Sequence, residues 1–270
     1  YGRGAVDAKA SGAAMLWAFL SLLEEGYVPP KGKVVVALTA GEENSKTYDG
    51  LEDLTTNGYL PQISAALVGE PTNLQPCIAQ KGLLILNLHA RGRTAHAARG
   101  QLGVNAITIA AKDILTLSGF RFDREDPYLG FSTLHVTMIE GGKAHNIIPD
   151  HVWMKVDIRS TPAYDHDEMA LMVQEMVASE VEIHSKRIIP VGTNPEAAIV
   201  QACLKAMPTA TLFGSPTASD WIFLKDIPTV KIGPGFSELS HTPDEHVELV
   251  EVLRGVNVYR DIIKTYFELT

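Results

Sequence analysis

The stretch GLLILNLHARGR, residues 82–93, decides how the chain is divided. Apolar and polar residues partly alternate along it, the period-2 pattern of a strand with one buried face. Downstream, GVNAITIAAKDILTLSG (103–119) has helical spacing, and FSTLHVTMIEGG (131–142) and HVWMKVDIRS (151–160) read as strands joined by KAHNIIPD. DHDEMALMVQEMVASE (165–180) reads as a second helix and VEIHSKRII (181–189) as a fourth strand. The order β-α-β-β-α-β is that of a ferredoxin-like unit, here spanning residues 81–190.

The sequence on either side has a different grammar. ASGAAMLWAFLSLLEEG (10–26) is a helix with a glycine stop. KVVVALTA (33–40) and ISAALVGEPTN (63–73) are continuous apolar runs, expected as buried strands of a parallel sheet. After the insertion, NPEAAIVQACLKAM (194–207) is a helix, TLFGSPTASDW (211–221) a strand or loop, and IPTVKIGPG (227–235) a buried strand. HTPDEHVELVEVLRGVNVYRDIIKTYFEL (241–269) closes as a long amphipathic helix. The expected fold class is α/β: an α/β domain in two parts, 1–80 and 191–270, interrupted by a ferredoxin-like domain at 81–190.

Composition narrows the function classes. The chain has 270 residues, 46% of them hydrophobic, and a net charge of -9. That supports a sizeable core and argues against general nucleic-acid binding, because no basic patch offsets the acidity. No apolar run in the sequence approaches the roughly 20 residues of a bilayer span. The two cysteines, Cys77 and Cys203, make no disulfide framework and no metal knuckle, and read as packing residues in a reducing, cytoplasmic setting.

Charge collects where apolar strands end. Glu42 and Glu43 follow one run, Glu70 another, and His241 lies beyond the strand that ends in GPG. Asp7 follows a glycine-rich turn and opens the first helix. Ligands of open α/β sheets gather at the carboxyl ends of strands. Singly, Asp7 reads equally as a helix cap, the glutamate pair as a solvated loop and His241 as a packing residue. Together at one sheet edge they favour a cation, since clustered carboxylates repel one another. Oxygen and imidazole donors suit Zn²⁺, Co²⁺ or Mn²⁺. With one bridging carboxylate, two ions would sit about 3.5–4 Å apart.

These residues lie in motifs that resemble, over essentially the whole chain and in order, the M20 family of metallo-aminoacylases and peptidases: GRGAVDAK, TAGEEN, VGEPTN, GRTAHAA, GGKAHNIIPD, VDIRS, SPTASDW and GPGFSELSHTPDEHV. The resemblance implies a zinc-peptidase-like catalytic domain with an inserted ferredoxin-like lid and dimerisation domain, working as a homodimer. It implies that Asp7 bridges two metals, that Glu43 and His241 hold one and Glu70 the other. Glu42 is then the general base that moves the proton of the attacking water. His96 in the lid reaches the reacting carbonyl, Asn146 and Arg159 contact substrate, and Arg159 holds a carboxylate by a bidentate fork. Ser215 and Thr217, with Ser219 and Asp220, form a polar loop lining the pocket or structuring it. One departure is implied as well. The family carries a His-x-Asp motif upstream of the GRG segment, so the N-terminal part of the catalytic domain is expected to be absent. The chain would then hold one metal or none in place of two.

Within the family, VGEPTN, LQPCIAQKGL, HAARG, FGSPTASDW and SHTPDEH look most like the acetylornithine deacetylases, and YGRGAVDAK is also similar to lysine-pathway deacylases. The expected reaction is hydrolysis of the amide of an N-acyl amino acid, N-acetyl- or N-succinyl-ornithine, in arginine biosynthesis. The rival readings are a succinyl-diaminopimelate desuccinylase, an acyl-lysine deacylase or a dipeptidase, and, outside catalysis, a binding or dimerising protein with an incomplete site. A small-molecule substrate is expected, with neither nucleic acid nor membrane as partner.

Overall fold

The computed structural model describes residues 1–44 and 49–270. In chain order its elements are α1 (Ala10–Glu24), α2 (Gly50–Thr56), β1 (Ala66–Val68), β2 (Cys77–Gln80), β3 (Gly82–Arg91), β4 (Ala95–His96) and α3 (Ala106–Gly119). There follow β5 (Glu125–Asp126), β6 (Gly130–Phe131), β7 (Thr133–Gly141), β8 (Ile147–Ile148), β9 (His151–Ser160), α4 (His166–Met176) and β10 (Glu180–Ile188). The chain closes with β11 (Val191–Gly192), α5 (Ala198–Ala206), β12 (Phe213–Ser215), β13 (Thr229–Lys231) and α6 (Leu249–Leu269). It divides into two compact units. Unit 1 comprises Tyr1–Ala79, Val191–Ser215 and Ser219–Thr270, and unit 2 comprises Gln80–Pro190 and Pro216–Ala218.

Unit 2 is built on an antiparallel sheet of order β10-β3-β9-β7. With α3 after its first strand and α4 after its third, this is the ferredoxin-like topology. The alternation of residues 82–93 has a direct cause. Leu84, Leu86, Leu88 and Ala90 of β3 lie opposite Ile158, Val156, Met154 and Val152 of β9, all buried on one face. Ala106, Ala110 and Leu117 of α3 and Met169, Ala170 and Val173 of α4 complete that core. The other face pairs Asn87 with Lys155 and His89 with Trp153. Both helices carry side-chain caps: Asn105 accepts from the Ile107 amide at 2.9 Å, and Asp165 from the Glu168 amide at 2.7 Å. Buried Asp113 accepts from the Ala178 and Ser179 amides, both at 3.0 Å, and from the Ser179 hydroxyl at 2.6 Å, which ties α3 to the approach of β10.

Unit 1 has shorter strands. Its sheet runs β1-β13-β2-β11, with β12 on β2. The sheet is mixed, where a parallel one was expected: β13 runs parallel to β1 and antiparallel to β2. The strand expected at 63–73 shrinks to Ala66–Val68. The run at 33–40 forms no strand and has no ladder partner among the described residues. Val35 is 50% exposed and Leu38 70%. An apolar run reports a tendency to be buried, but a strand exists only where a neighbour takes its backbone hydrogen bonds. Helices α1 and α6 pack together, and α5 packs on α6. Cys77 and Cys203 are both free and buried.

One expectation about helix length needs correction. The helical stretch Ala5–Glu24 is long and apolar enough, by length and composition, to cross a bilayer. The sequence reading missed it because Asp7 and Lys9 interrupt the apolar run. In the fold, Ala10, Ala14, Ala18 and Leu22 are buried along one stripe of α1, which packs on α6, while Leu16, Trp17, Leu20 and Leu23 are exposed.

Candidate metal centre

Asp7 sits in a distorted turn, Ala5–Lys9, that leads into α1; the Asp7–Ala8 peptide bond is cis. The turn is held from the far end of the chain. Glu245 Oε1 accepts hydrogen bonds from the Val6 amide at 3.1 Å and the Asp7 amide at 3.2 Å, and Arg3 Nη1 stands 3.6 Å from Oε2. Burial acts to raise the Glu245 pKa, but the Gly4, Asp7 and Val6 amides and Arg3 outweigh it and leave it lowered. Asp7 therefore does not cap α1, the alternative its sequence position allowed; Lys9 occupies that place and makes no side-chain cap.

Two glycines bring the loop after β13 onto this turn. A Cβ at Gly235 would come 2.3 Å from Val6 Cγ2, and one at Gly233 would come 2.5 Å from the Glu70 carbonyl oxygen. Beyond them His241 takes a left-handed backbone conformation, φ 62°, which is uncommon for a residue with a side chain. Its Nε2 lies 3.4 Å from Asp7 Oδ2 and 3.4 Å from Glu43 Oε2. One donor atom from each of these three residues falls within 4.8 Å of the others, a group of metal-holding type. Glu42 and Glu43 share a single 3-10 turn, Glu42–Asn44, with Glu43 exposed and Glu42 half-buried.

The surrounding electrostatics calls for a cation. Glu42 is pushed up to about 7, first by burial and then by Glu43, Asp7 and Asp49, with Lys231 opposing. Glu70, two residues past β1, is pushed up to about 8 by burial and Asp7, again with Lys231 opposing. Asp220 rises to about 7 through burial and its hydrogen bond with Asp49, whose carboxylate also caps α2 through the Leu51 and Glu52 amides. A divalent ion on Asp7, Glu43 and His241 would relieve this repulsion. Two carboxylate oxygens and an imidazole nitrogen are donors that zinc accepts, so the residues present fit the group.

The remaining expected residues lie in other places. Ser215 ends β12 in unit 1, buried, where its Oγ accepts from Lys231 Nζ at 3.0 Å. His96, Asn146, Arg159 and Thr217 belong to unit 2. His96 and Asn146 are neighbours there: β4 pairs with β8, and the Ala97 amide donates to the Asn146 carbonyl at 2.9 Å. His96 is exposed, and its Nδ1 accepts from the Ala98 amide at 3.1 Å. Arg159 donates through Nε at 2.9 Å and Nη2 at 3.2 Å to Asp157, so its fork already engages a carboxylate of its own strand. Sequence reasoning missed Glu245, Asp49 and Lys231. Lys231, the one charge inside the apolar run IPTVKIG, was the available signal.

An ion-holding group of acid and imidazole donors beside a carboxylate poised near neutrality defines a metal-dependent hydrolase centre. Residues 1–265 match Peptidase family M20/M25/M40. The chain belongs to that family, whose members are metallo-hydrolases acting on amides. It is 30% identical to the [LysW]-lysine/[LysW]-ornithine hydrolase of Sulfurisphaera tokodaii, over 98% of this chain and 74% of that protein. It is 30% identical to the acetylornithine deacetylase of Myxococcus xanthus, over 94% and 69%. Among solved structures, the aminopeptidase PepT of Bacillus cereus superimposes with a TM-score of 0.77 at 25% identity, covering 97% of this chain and 71% of that one.

Proposed function

We propose that this chain hydrolyses the amide of an N-acyl amino acid, with N-acetyl- or N-succinyl-ornithine as substrate, in arginine biosynthesis. The observation that carries the reading is the convergence of Asp7, Glu43 and His241 with Glu42 immediately beside them. Zinc bound there would polarise the scissile carbonyl and acidify water. Glu42, unengaged by that ion and with a pKa near 7, takes the proton of the attacking water and passes it to the leaving amine. For unit 2, the family resemblance assigns His96 the role of oxyanion donor and Asn146, Arg159 and Thr217 that of substrate contacts, Arg159 through a fork matched to a carboxylate; it assigns Ser215 in unit 1 to substrate binding as well. Similarity to an acetylornithine deacetylase supports the ornithine moiety. Similarity to a hydrolase named for both lysine and ornithine conjugates supports a second reading, an acyl-lysine deacylase.

The working protein, on this reading, is a cytoplasmic homodimer without nucleic-acid or membrane partners. Unit 2 supplies the contact, since β7 is a nine-residue edge strand carrying exposed Met138 and Ile139. Assay of zinc-loaded protein against acetyl- and succinyl-ornithine, acetyl-lysine, succinyl-diaminopimelate and a dipeptide tests the assignment. Turnover highest on the ornithine amides is expected. Preference for acetyl-lysine selects the second reading, and no turnover on any amide sinks both.

A further inference from the structure

The face of the unit 2 sheet away from α3 and α4 carries a cluster that amide hydrolysis leaves unused. Antiparallel register pairs His89 of β3 with Trp153 of β9 and with Glu180 of β10. His151 and Glu182 each stand two positions along from those partners, so both are diagonal neighbours of His89 on one face. Their side chains meet there. His89 Nε2 lies 3.2 Å from Glu182 Oε2, and His89 Nδ1 lies 3.2 Å from His151 Nε2.

The chemistry of these atoms sets their roles. An ionised carboxylate only accepts, and hydrogen bonds from His89 and Asn87 hold the Glu182 carboxyl below its usual pKa range. His89 Nε2 therefore donates, and Nδ1, the nitrogen beside His151, keeps a lone pair in the neutral ring. A carboxylate gripping one nitrogen of an imidazole whose other nitrogen is bare is the arrangement in which histidines ligate metals. The spacing agrees: a tetrahedral ion bonded to two nitrogens at 2.0–2.1 Å holds them about 3.3 Å apart. Asn87 adds a separate observation. It lies on the same face, two positions before His89, and donates through Nδ2 to Glu182 Oε2 at 3.5 Å, while its Oδ1 is buried without a hydrogen-bond partner among the described residues. The patch thus includes an acceptor of the kind that ion-bound water satisfies.

We propose that His89 Nδ1 and His151 Nε2 form a site for one divalent transition-metal ion, with Zn²⁺ the expected occupant, and that Glu182 orients His89 by holding its Nε2–H. The ion takes the place of the proton between the two rings, His151 carries its own proton on Nδ1, and water completes the shell. Imidazole suits Zn²⁺, Ni²⁺ and Cu²⁺, whereas Mg²⁺ prefers oxygen. An ion held by both strands clips β3 to β9 and binds the folded sheet in preference to the unfolded chain. The site lies in unit 2, whereas Asp7, Glu43 and His241 lie in unit 1, and it does not depend on that group.

Calorimetric titration of the whole chain with Zn²⁺, in a His241→Ala background that disables the unit 1 group, tests it, with hydrogen exchange of β3 and β9 as the second reading. One equivalent is expected to bind and to slow exchange in both strands, and Mg²⁺ to do neither. His89→Ala and His151→Ala should each remove the bound equivalent and the added protection, and Glu182→Gln should weaken binding about 10-fold or more. His184→Ala, which takes away a histidine that approaches Asn87 and not the pair, should change nothing. Zn²⁺ binding in the His89 and His151 variants equal to that of their parent overturns the proposal, as does no binding in the parent, or an equal loss in His184→Ala. Ni²⁺ added to the protein without any substitution locates the ion independently of how the variants fold. Amide signals around His89 and His151 should broaden, and broadening confined to unit 1 overturns the assignment.

Discussion

The two sheets of this protein spend their interiors differently. In unit 2, β3 and β9 face each other along their whole length, and their buried face is leucine, isoleucine, valine, methionine and alanine. In unit 1, strands of two to four residues are stitched together by loops, and Lys231, Glu245 and Asp49 are buried among them. Apolar burial is non-directional and contributes roughly 25 cal/mol per Å², so a regular sheet with helices on one face stabilises itself. A buried charge costs free energy unless partnered, and its partners must be aimed. Unit 2, where buried Asp113 serves only to tie α3 to the approach of β10, is thus organised for stability and unit 1 for placing charge.

That contrast can be broken or sharpened by measurement. The largest effect is expected at Glu42. Glu42→Gln should lower turnover on an acyl-ornithine by about 10²–10⁴-fold while metal content is retained, because only proton transfer is removed. Unchanged turnover would show that charge placement in unit 1 is not catalytic. Next is the apolar side. Leu86→Ala should destabilise unit 2 by about 2–5 kcal/mol, read as faster amide hydrogen exchange in β3 and β9, with metal affinity unaltered. Loss of metal binding in that variant would end the separation of roles.

Smaller, and opposite in sign to the usual carboxylate, is a pH effect on unit 1. Glu42, Asp220 and Glu70 have folded pKa values raised to about 7, about 7 and about 8. Unfolded carboxylates titrate near 4, so between roughly pH 4.5 and 8 the metal-free folded state holds protons the unfolded chain has lost. Stability of chelator-treated unit 1 should fall as pH rises through that window, and added Zn²⁺ should restore it. Hydrogen exchange at pH 5 and pH 8 measures this segment by segment; a rise in unit 1 protection towards pH 8 without metal would contradict it. The smallest effect is a cap: Asp165→Ala should cost unit 2 about 1 kcal/mol, seen in denaturant unfolding.

Legibility in the sequence followed the same division. The period-2 pattern of residues 82–93 marked the strand that the structure shows as β3, because alternation is a local consequence of the pleat. The run at 33–40 looked equally strand-like, yet the structure gives it no ladder, since pairing depends on a partner that local sequence does not name. At the site, Asp7, Glu43, Glu70 and His241 stood out as charges at strand and turn ends; donor atoms of Asp7, Glu43 and His241 come together, and Glu70 is outside that group among the described residues. Glu245 lay unnoticed in HTPDEH because its task is to hold amides 238 and 239 positions away. Asp49 and Asp220, likewise distant in sequence, meet only in the fold.

By itself, then, the sequence determined the kinds of group and their local settings: which residues alternate, which acids end apolar runs, and a set of motifs shared with a metallo-hydrolase family. Only the tertiary structure decided which charges share a space. It set His241 against Asp7 and Glu43, lifted the pKa values of Glu42 and Glu70, and buried Lys231 at the end of β13. The physical reason is range. Periodicity and capping act over a few residues of chain, whereas Coulomb interaction and desolvation depend on distances in space that the chain closes only when it folds.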